Sequence, residues 1–421
     1  MRFSQYNINI DTDYGLLLYN TNSKEVVKMK NESLVKEYKD LLNSDNLSFD
    51  NKLVQVLYDK KFIVDDNVDE FEQAKKYQYE LLDREDNKAH ILIHTTDNCN
   101  FRCTYCFKEA RPKNLSDENW NNLYLYLKNN IESKNINQVC LVFYGGEPLL
   151  RYEKIVEFMK RVNSLKETFS DLKIFYRMIT NGYLLTKEVY DNLALLGMNQ
   201  YQITLDGFAD SHNKMRPLVN GNGTWNRIVE NLRYINTQDD DISIQLRTNF
   251  NQINKDEMEG FNKWLELEFT NKKFVFFKAS ICKFSEIVDD NLILDSNDDF
   301  VKSQLLENLK LKHYLGLSNH GMICRYSRKY MFALSTSGKI SHCEETDNED
   351  TIIGELTSGG IIKYHIPYEE WRSRLEVDKC KTCVLYPLCL ARACSKSLVC
   401  DSLFDNFEVI KKYISENNIF D

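Results

Sequence analysis

The amino-acid sequence predicts an α/β protein with a central parallel β-sheet, and three observations lead to this fold class. From residue 90 onwards, short runs rich in β-branched residues alternate with amphipathic stretches, as parallel strands alternate with crossover helices. A polar or glycine-rich cluster follows most of the predicted strands. Most of the 12 cysteines lie in two groups, one near residue 100 and one beyond residue 320. Six strand–helix units are compatible with a partial (β/α)6 TIM-like barrel or with an open doubly wound sheet.

The predicted elements of this central region follow one another without a long interruption. The predicted strands are His90–Thr95, Gln138–Phe143, Lys173–Ile179, Gln200–Leu205, Ser243–Thr248 and Lys273–Lys278. The predicted helices are Asp117–Ile131, Tyr152–Leu165, Lys187–Leu196, Trp225–Ile235 and Lys255–Leu265.

Residues 1–88 have a different pattern, in which extended runs precede helices. This pattern predicts a small winged-helix-like domain that ends in a linker helix. Winged helices also bind DNA, but this segment contains 13 Lys/Arg and 18 Asp/Glu residues, which argues against DNA. A purely structural cap is the third interpretation. The extended runs are Phe3–Ile10, Leu16–Tyr19, Glu25–Met29 and Phe62–Val64, and the helices are Glu32–Leu42, Asp50–Lys60 and Val68–Leu82.

Composition narrows the class of protein further. The chain has 421 residues, 43% of them hydrophobic and 12% aromatic, which is enough for two or three globular domains. It has no signal-like N-terminus and no apolar run of about 20 residues, so we expect a cytoplasmic protein that does not enter a membrane. The net charge of −9 argues against nucleic acid as the partner. Cysteines in the cytosol are more often metal ligands than disulfides.

The segment from Cys99 to Cys106 carries the strongest chemical signal. The C-x3-C-x2-C spacing of Cys99, Cys103 and Cys106 suits three thiolate ligands at three corners of an iron–sulfur cluster. The next cysteine is Cys140, so one iron would lack a protein ligand. A zinc site is the alternative, but zinc sites usually combine C-x2-C with a second nearby pair of Cys or His. Three unrelated core cysteines are the remaining interpretation.

Four further clusters follow the predicted strands at their carboxyl ends. They begin at Gly145-Gly146-Glu147, at Thr180-Asn181, at Asp206-Gly207 and at Asn249. Each alone is as common in a turn as in a binding site. Because the carboxyl ends of parallel strands meet on one side of a sheet, their shared position predicts an active site there.

Seven cysteines in the last hundred residues predict a second metal-binding region. A C-x2-C-x5-C run is the core of this group, and either zinc or iron–sulfur clusters fit it. Cys140 and Cys282 stand outside both groups, and we expect both to be structural. The seven are Cys324, Cys343, Cys380, Cys383, Cys389, Cys394 and Cys400.

The first cysteine motif, with Tyr105 as its aromatic residue, resembles the signature of the radical S-adenosylmethionine (SAM) family. The resemblance implies a [4Fe-4S] cluster on Cys99, Cys103 and Cys106 whose open iron chelates SAM. It also implies reductive cleavage of SAM to a 5′-deoxyadenosyl radical, which takes a hydrogen atom from the substrate. Gly145-Gly146-Glu147 resembles the family's GGE motif, whose backbone and carboxylate receive the ammonium group of SAM.

The remaining SAM contacts are likewise implied by the resemblance. The segment from Thr204 to Arg216 resembles a pattern of peptide-modifying members, in which the hydroxyl contacts SAM and the arginine pairs with its carboxylate. Asn181 corresponds to a polar contact near the ribose, and Asn249 is a further candidate contact. For His212, within the same segment, we favour a structural hydrogen-bonding role.

The C-terminal cysteines resemble the SPASM domain, which carries two auxiliary [4Fe-4S] clusters. By this resemblance Cys324, Cys343 and Cys394 hold the first cluster, and Cys380, Cys383, Cys389 and Cys400 hold the second. An eighth cysteine of some relatives is absent, so the first cluster is implied to have an open iron, which we hypothesise holds a substrate thiolate. Glu344 lies where some relatives have a catalytic base. An exposed carboxylate without a catalytic role is the alternative.

These resemblances imply a maturase of a ribosomally synthesised precursor peptide, with three [4Fe-4S] clusters and SAM. A cysteine thioether is the first expectation for its product, a carbon–carbon or ether cross-link the second, and formylglycine formation in a sulfatase the third. Residues 1–88 would bind the leader peptide, and a flavodoxin or ferredoxin would supply electrons. Residues 89–310 would form the barrel and residues 311–421 the SPASM domain. A zinc-stabilised peptide- or DNA-binding protein is the non-enzymatic alternative.

Overall fold

The computed structural model describes residues 1–44, 46–83, 87–108, 110–280, 292–294, 328–342, 351–367, 370, 378–389 and 411. These residues divide between two compact units. The first unit takes the described residues of Met1–Glu85 and Glu369–Asp421. The second unit takes those of Asp86–Gln304 and Arg328–Tyr368. No helix of the described residues is long and apolar enough to cross a membrane.

The N-terminal part of the first unit combines a three-stranded antiparallel sheet, a two-stranded pair and three helices. Asn31 and Asn51 cap the first two helices through side-chain oxygens, which accept backbone N–H groups of the first turn. The predicted helices and strands are confirmed, except that the first extended run is interrupted around Tyr6. The winged-helix-like description stays a prediction. The elements are β1 Arg2–Phe3, β2 Asn7–Thr12, β3 Gly15–Asn20, β4 Val26–Met29, α1 Glu32–Leu42, α2 Lys52–Asp59, β5 Ile63–Val64 and α3 Glu70–Asp83.

The second unit is built on a ten-stranded sheet whose first six strands are parallel and adjacent in chain order. This order of the six strands agrees with a partial barrel, which stays a prediction. The six strands are β6 Lys88–Thr96, β7 Gln138–Gly145, β8 Lys173–Thr180, β9 Met198–Thr204, β10 Ser243–Phe250 and β11 Phe274–Ser280.

Helices between these strands are amphipathic and bury one face, as predicted. Three of the predicted helices agree to within one residue. The predicted helix from Tyr152 ends at Asn163, and the predicted helix from Lys255 begins as a 3-10 turn and continues to Glu268. A short helix before Arg216 was not predicted. The helices are α4 Asp117–Glu132, α5 Tyr152–Asn163, α6 Leu165–Thr168, α7 Lys187–Leu195, α8 Ala209–Met215, α9 Trp225–Asn236 and α10 Met258–Glu268.

Four further strands extend the same sheet beyond β6, and the sequence did not predict them. The first of them pairs in parallel with β6, with Met331 opposite His90, and the other three continue as an antiparallel meander. These strands lie in the range predicted as the SPASM domain, yet they belong to the sheet of the predicted barrel. The division at residues 88 and 310 stays a prediction. The strands are β12 Met331–Leu334, β13 Lys339–Ser341, β14 Ile352–Thr357 and β15 Ile361–Tyr364.

Candidate active site

A cavity of about 350 Å³ opens among the loops that follow the parallel strands. The loops after five of these strands meet there, as the sequence predicted from their shared position. All the residues predicted for the SAM-binding centre line the cavity except Glu147. Those that line it are Cys99, Cys103, Tyr105, Cys106, Gly145, Gly146, Asn181, Thr204, Arg216 and Asn249.

The cysteine loop is held by the segment that follows α8. Backbone N–H groups of Arg102 and Thr104 donate to the carbonyls of Pro217 and Met215, each over 2.9 Å. Phe101 also forms an isolated antiparallel bridge with Leu218. These contacts fix the cysteine loop along its length, because each joins main chain to main chain.

The three thiols fit a cationic cluster better than they fit an empty apolar site. Burial raises the pKa of the Cys99 thiol to about 11 and that of Cys103 to about 12. Thiolates there require a compensating positive charge, which bound iron supplies. Among the described residues, no three Cys, His, Asp or Glu side chains form a site for a metal ion. In an iron–sulfur cluster each thiolate binds a different iron, so the thiols surround the group instead of converging on one ion.

Gly145 and Gly146 are required by the close approach of two loops. Gly145 has φ +129°, and a Cβ on it would lie 2.2 Å from the Thr96 carbonyl oxygen. A Cβ on Gly146 would lie 2.2 Å from the carbonyl oxygen of Asn98. The Gly146 N–H donates to the Thr96 carbonyl over 2.8 Å. Because they lack a Cβ, both glycines allow the turn after β7 to pack closely against the residues that lead into Cys99. Both also line the cavity.

Glu147, predicted to receive the SAM ammonium, does not line the cavity. Its carboxylate is fully buried and accepts hydrogen bonds from Leu149 N–H, Thr180 Oγ1 and Asn181 N–H, at 3.0, 2.7 and 2.8 Å. Burial raises its pKa, and these three bonds oppose that shift. Because its oxygens are occupied and it does not line the cavity, direct acceptance of the SAM ammonium is not supported. Glu147 instead joins the ends of β7 and β8.

Tyr105 is the centre of a buried hydrogen-bonded group. Its hydroxyl accepts from Arg216 Nη1 at 2.5 Å and from Asn249 Nδ2 at 3.1 Å, and it donates to Asp206 Oδ2. Asp206 also accepts the Asn249 N–H over 2.6 Å and lies 3.6 Å from the Arg216 guanidinium. The group ties the cysteine loop to the ends of β9 and β10.

Arg216 lines the cavity and has a buried donor without a partner among the described residues. Its Nε is buried and makes no hydrogen bond with any described residue, although its Nη1 is bonded. An unpaired buried N–H costs about 1–3 kcal/mol, so this atom favours an acceptor in the cavity, such as a carboxylate. Asn181 and Asn249 both line the cavity, but their side-chain amides are also bonded within the protein, to Asn100 and to Tyr105.

His212 has the structural role that the sequence favoured. Its Nδ1 accepts the Asp206 N–H and its Nε2 lies 3.1 Å from Thr224 Oγ1. Burial lowers its pKa well below the ordinary value, with Arg216 adding to the effect. The neutral ring therefore supports Asp206 and does not reach the cavity.

The sequence placed Asp206 in a cluster at the predicted site but assigned its carboxylate no role. In the structure that carboxylate is fully buried beside Arg216. Burial raises its pKa, while Arg216 and the Tyr105 hydroxyl oppose the shift. The sequence signal that could have indicated this role is an acidic residue at the end of a strand, ten positions before an arginine.

Most of the second cysteine group cannot be located in the structure. Cys380 is buried and Cys383 is half-buried, both in the first unit. Cys140 packs against the cluster of Leu92, Val142 and Ala333, in agreement with its predicted structural role. The predicted residues outside the described part of the chain are Cys282, Cys324, Cys343, Glu344, Cys394, Cys400 and the side chain of Cys389.

Comparison with known proteins assigns the class. Residues 93–265 match the model of the Radical SAM superfamily. A cysteine-type anaerobic sulfatase-maturating enzyme of Clostridium novyi is 24% identical over 337 residues, covering 71% of this chain and 86% of its own. The radical SAM cyclopropyl synthase TigE of Paramaledivibacter caminithermalis is 24% identical over 412 residues, covering 86% of this chain and 79% of its own.

Solved structures share the fold. The structure of anSMEcpe with bound AdoMet and Kp18Cys peptide has a TM-score of 0.59 at 17% identity, over 78% of this chain and 99% of that one. Streptococcus suis SuiB bound to precursor peptide SuiA has a TM-score of 0.52 at 15% identity, over 92% of this chain and 94% of that one. This chain therefore contains a radical SAM domain. The match of residues 93–265 identifies the protein as an enzyme, and the chain is similar to a sulfatase-maturating enzyme and to a radical SAM cyclopropyl synthase.

Proposed function

We propose that this enzyme installs a cross-link, most simply a cysteine thioether, in a ribosomally synthesised precursor peptide. The observation that carries the proposal is the cavity lined by the three cysteines, by Gly145 and Gly146 and by Arg216, whose buried Nε has no partner among the described residues. The structural neighbours anSMEcpe and SuiB were each solved with a peptide, which supports a peptide as the substrate here.

The residues of the cavity have separable tasks in this proposal. Cys99, Cys103 and Cys106 hold the SAM-binding cluster. Arg216 donates through Nε to the carboxylate of SAM, and the Thr204 hydroxyl contacts the same molecule. When bound, the cluster and SAM would supply the 5′-deoxyadenosyl radical that removes a hydrogen atom from a peptide carbon.

Leader binding is proposed for the sheet of the first unit. Among the described strands, β4 pairs only with β3 and is therefore an edge strand, the kind of strand to which a peptide strand can be added. Helix α1 packs beside β4 and leaves Leu34 and Leu42 exposed, at 39% and 42%. The match to SuiB, which was solved with its precursor peptide, covers 92% of this chain.

Hydrogen exchange tests the leader site. On addition of precursor peptide we expect slower amide exchange in Val26–Met29, because strand addition pairs the edge amides of β4. A leader-only peptide is expected to give the same protection, and a core-only peptide is expected to give none. Protection confined to residues of the second unit would contradict the assignment of the leader to β4.

A sulfatase-maturing activity is the second candidate, favoured by the matches to the Clostridium novyi enzyme and to anSMEcpe. Carbon–carbon or ether cross-linking is a variant of the first. These products differ chemically. A thioether consumes a cysteine thiol, whereas a carbon–carbon or ether link leaves it free, and formylglycine forms an aldehyde.

The overall reaction is tested with anaerobically reconstituted enzyme, reductant, SAM and a precursor peptide from the neighbouring genes. We expect 5′-deoxyadenosine, together with a peptide that has lost two hydrogen atoms and one thiol reactive to alkylation. The Cys103→Ala variant is expected to form neither product, because it lacks a cluster ligand. Formation of 5′-deoxyadenosine by that variant would refute the cluster assignment. An aldehyde in a sulfatase peptide would favour the second candidate.

Two auxiliary [4Fe-4S] clusters complete the proposal, with a flavodoxin or ferredoxin as electron donor. Cys380, Cys383, Cys389 and Cys400 are assigned to one cluster, and Cys324, Cys343 and Cys394 to the other. Glu344 is proposed as a base that takes a proton from the substrate.

A further inference from the structure

One wall of the cavity is formed by polar side chains of β9 and β10. Gln202 and Thr204 of β9 line the cavity, and so do Arg247 and Asn249 of β10. Residues two positions apart on a strand share a face, and the residue between the two of each pair is buried. Thr204 lies opposite Arg247 in the parallel pairing. The proposed SAM contacts use only Thr204 and Asn249 of this wall, so Gln202 and Arg247 have no assigned ligand.

The Arg247 side chain is held in place at one edge and on one face of its guanidinium. Its Nε donates to Asn249 Oδ1 over 2.8 Å. Its Cζ lies 6.0 Å from the centre of the Phe277 ring, which belongs to the opposing residue of β11. Among the described residues, neither Nη group of Arg247 has a hydrogen-bond partner. The four N–H donors of these two groups are therefore available to a ligand.

The cavity lacks a carboxylate that would neutralise Arg247. Of the described residues that line it, Asp97 is acidic and Arg102, Lys108, Arg216 and Arg247 are basic. Asp97 already accepts a hydrogen bond over 2.6 Å from a threonine hydroxyl outside the cavity. Arg216 is paired with a buried aspartate, whereas Arg247 forms no ion pair with a described carboxylate. The cavity is therefore suited to a ligand that carries a negative group.

We propose that Arg247, together with the Gln202 amide, binds a carboxylate of the substrate peptide, so that the enzyme selects peptides with an acidic group beside the modified residue. This inference rests on the proposed function and specifies its substrate class. A guanidinium binds a carboxylate through two parallel N–H donors, which fixes orientation as well as charge. Gln202 is diagonal to Arg247 on the adjacent strand, within reach of a long side chain, and adds an N–H donor.

The position of Arg247 places the bound carboxylate close to the chemistry. Thr204 and Asn249, the proposed SAM contacts, are its neighbours on the same wall, and Asn249 also holds its Nε. The carboxylate is supplied by an Asp or Glu side chain of the peptide or by the C-terminus of the peptide. Both sources have the same chemistry, and substitution of the peptide distinguishes them.

A series of substituted peptides tests the inference with the reconstituted enzyme. The precursor peptide from the neighbouring genes is prepared with each Asp or Glu of its core replaced in turn by Asn or Gln, and once with an amidated C-terminus. We expect one member of the series to lower kcat/KM by about 100-fold, the order of loss when one partner of a close charge pair is removed. A side-chain replacement or the amide will identify the source. If no member lowers kcat/KM, the inference is overturned.

Substitution of Arg247 supplies the second half of the test. Arg247→Met is expected to lower kcat/KM for the unaltered peptide by about 100-fold and to cause little further loss with the sensitive peptide, because both changes remove the same contact. Arg247→Lys keeps the charge without the paired donors, so a smaller loss of about tenfold is expected. Arg227→Met is the matched control: Arg227 is exposed on α9, pairs with Glu230 and does not line the cavity. We expect no change in kcat/KM for this control.

The affinity for SAM, measured by equilibrium dialysis, separates a peptide contact from a SAM contact. If Arg247→Met weakens SAM binding by as much as it lowers kcat/KM, and equally for every peptide, Arg247 holds the SAM carboxylate and the inference is overturned. The wild-type enzyme separates this inference from the proposed function. A precursor peptide left unmodified by the wild type would refute both, whereas modification that does not depend on any acidic group would refute the inference alone.

Discussion

Replacing Arg216 with methionine is expected to destabilise the protein by about 3–5 kcal/mol and to abolish SAM cleavage. Removing one partner of a buried ion pair leaves the other charge without compensation, and that is the costly step. Arg216 and Asp206 are both buried, 3.6 Å apart, and both contact the Tyr105 hydroxyl. Urea unfolding measures the first effect, and 5′-deoxyadenosine formation measures the second.

The double variant Arg216→Met/Asp206→Asn separates stability from ligand binding. With the buried carboxylate neutralised, most of the lost stability is expected to return. SAM cleavage is not expected to return, because the guanidinium proposed to bind the SAM carboxylate, with its unpaired Nε, is still absent. Recovery of both properties would show that Arg216 acts only on Asp206 and makes no contact with the ligand.

The instability of Arg216→Met is expected to depend on pH. Burial already raises the pKa of Asp206 in the folded protein, and Arg216 opposes that shift. Without Arg216 the folded pKa rises further above the unfolded value. The carboxylate then destabilises the folded state above its raised pKa, and this cost disappears as the pH falls and the group is protonated. The free energy of unfolding of Arg216→Met should therefore approach that of wild type as the pH falls. A difference that does not change with pH would contradict this prediction.

Replacing Gly146 with alanine is expected to lower the rate of 5′-deoxyadenosine formation by about 100-fold, the order of loss that follows a 1 Å misplacement in an active site. The added Cβ would lie 2.2 Å from the Asn98 carbonyl oxygen and 2.6 Å from its carbon. These are backbone atoms, so they cannot rotate away as a side chain would. Relief requires movement of the residues that lead into Cys99, and with them the first cluster ligand.

Gly260→Ala is the matched control for this substitution. Gly260 lies in α10 and does not adopt positive φ, and a Cβ added there would meet no atom within 4 Å beyond its own stretch of helix. Alanine is favoured over glycine inside a helix by about 0.5–1 kcal/mol, so this variant should be as active as wild type and slightly more stable. Iron content and product formation are measured for both variants. Full activity in Gly146→Ala would show that the two loops separate without cost.

Much of the site could be predicted from local sequence patterns. The strands were predicted to within a few residues because β-branched runs report directly on extended backbone. The C-x3-C-x2-C spacing predicts a metal centre because ligands from one short loop are constrained by the chain that joins them. Parallel strands then brought the remaining polar clusters to the same side, and all but Glu147 of the predicted SAM-site residues line one cavity.

Other features depended on partners far apart in the chain. Glu147 has its oxygens occupied by Leu149, Thr180 and Asn181, two of which lie more than 30 residues further on. Tyr105 likewise has a distant partner, because its hydroxyl donates to Asp206, which lies 101 residues further along the chain. Motif matching assigned Glu147 and Tyr105 to a ligand, whereas their buried polar atoms are first committed to protein partners.

The sequence by itself determined the class of chemistry, the order of strands and helices, and the side of the sheet on which the site lies. The tertiary structure decided the partners: which carboxylates are occupied, which arginine nitrogen is free, and why two glycines are needed beside the cysteine loop. It also brought Gln202 and Arg247 to one wall of the cavity and added four strands to the edge of the sheet at β6. The physical reason is that periodicity and ligand spacing record local geometry, whereas a buried polar group is satisfied by whichever distant group the fold brings to it.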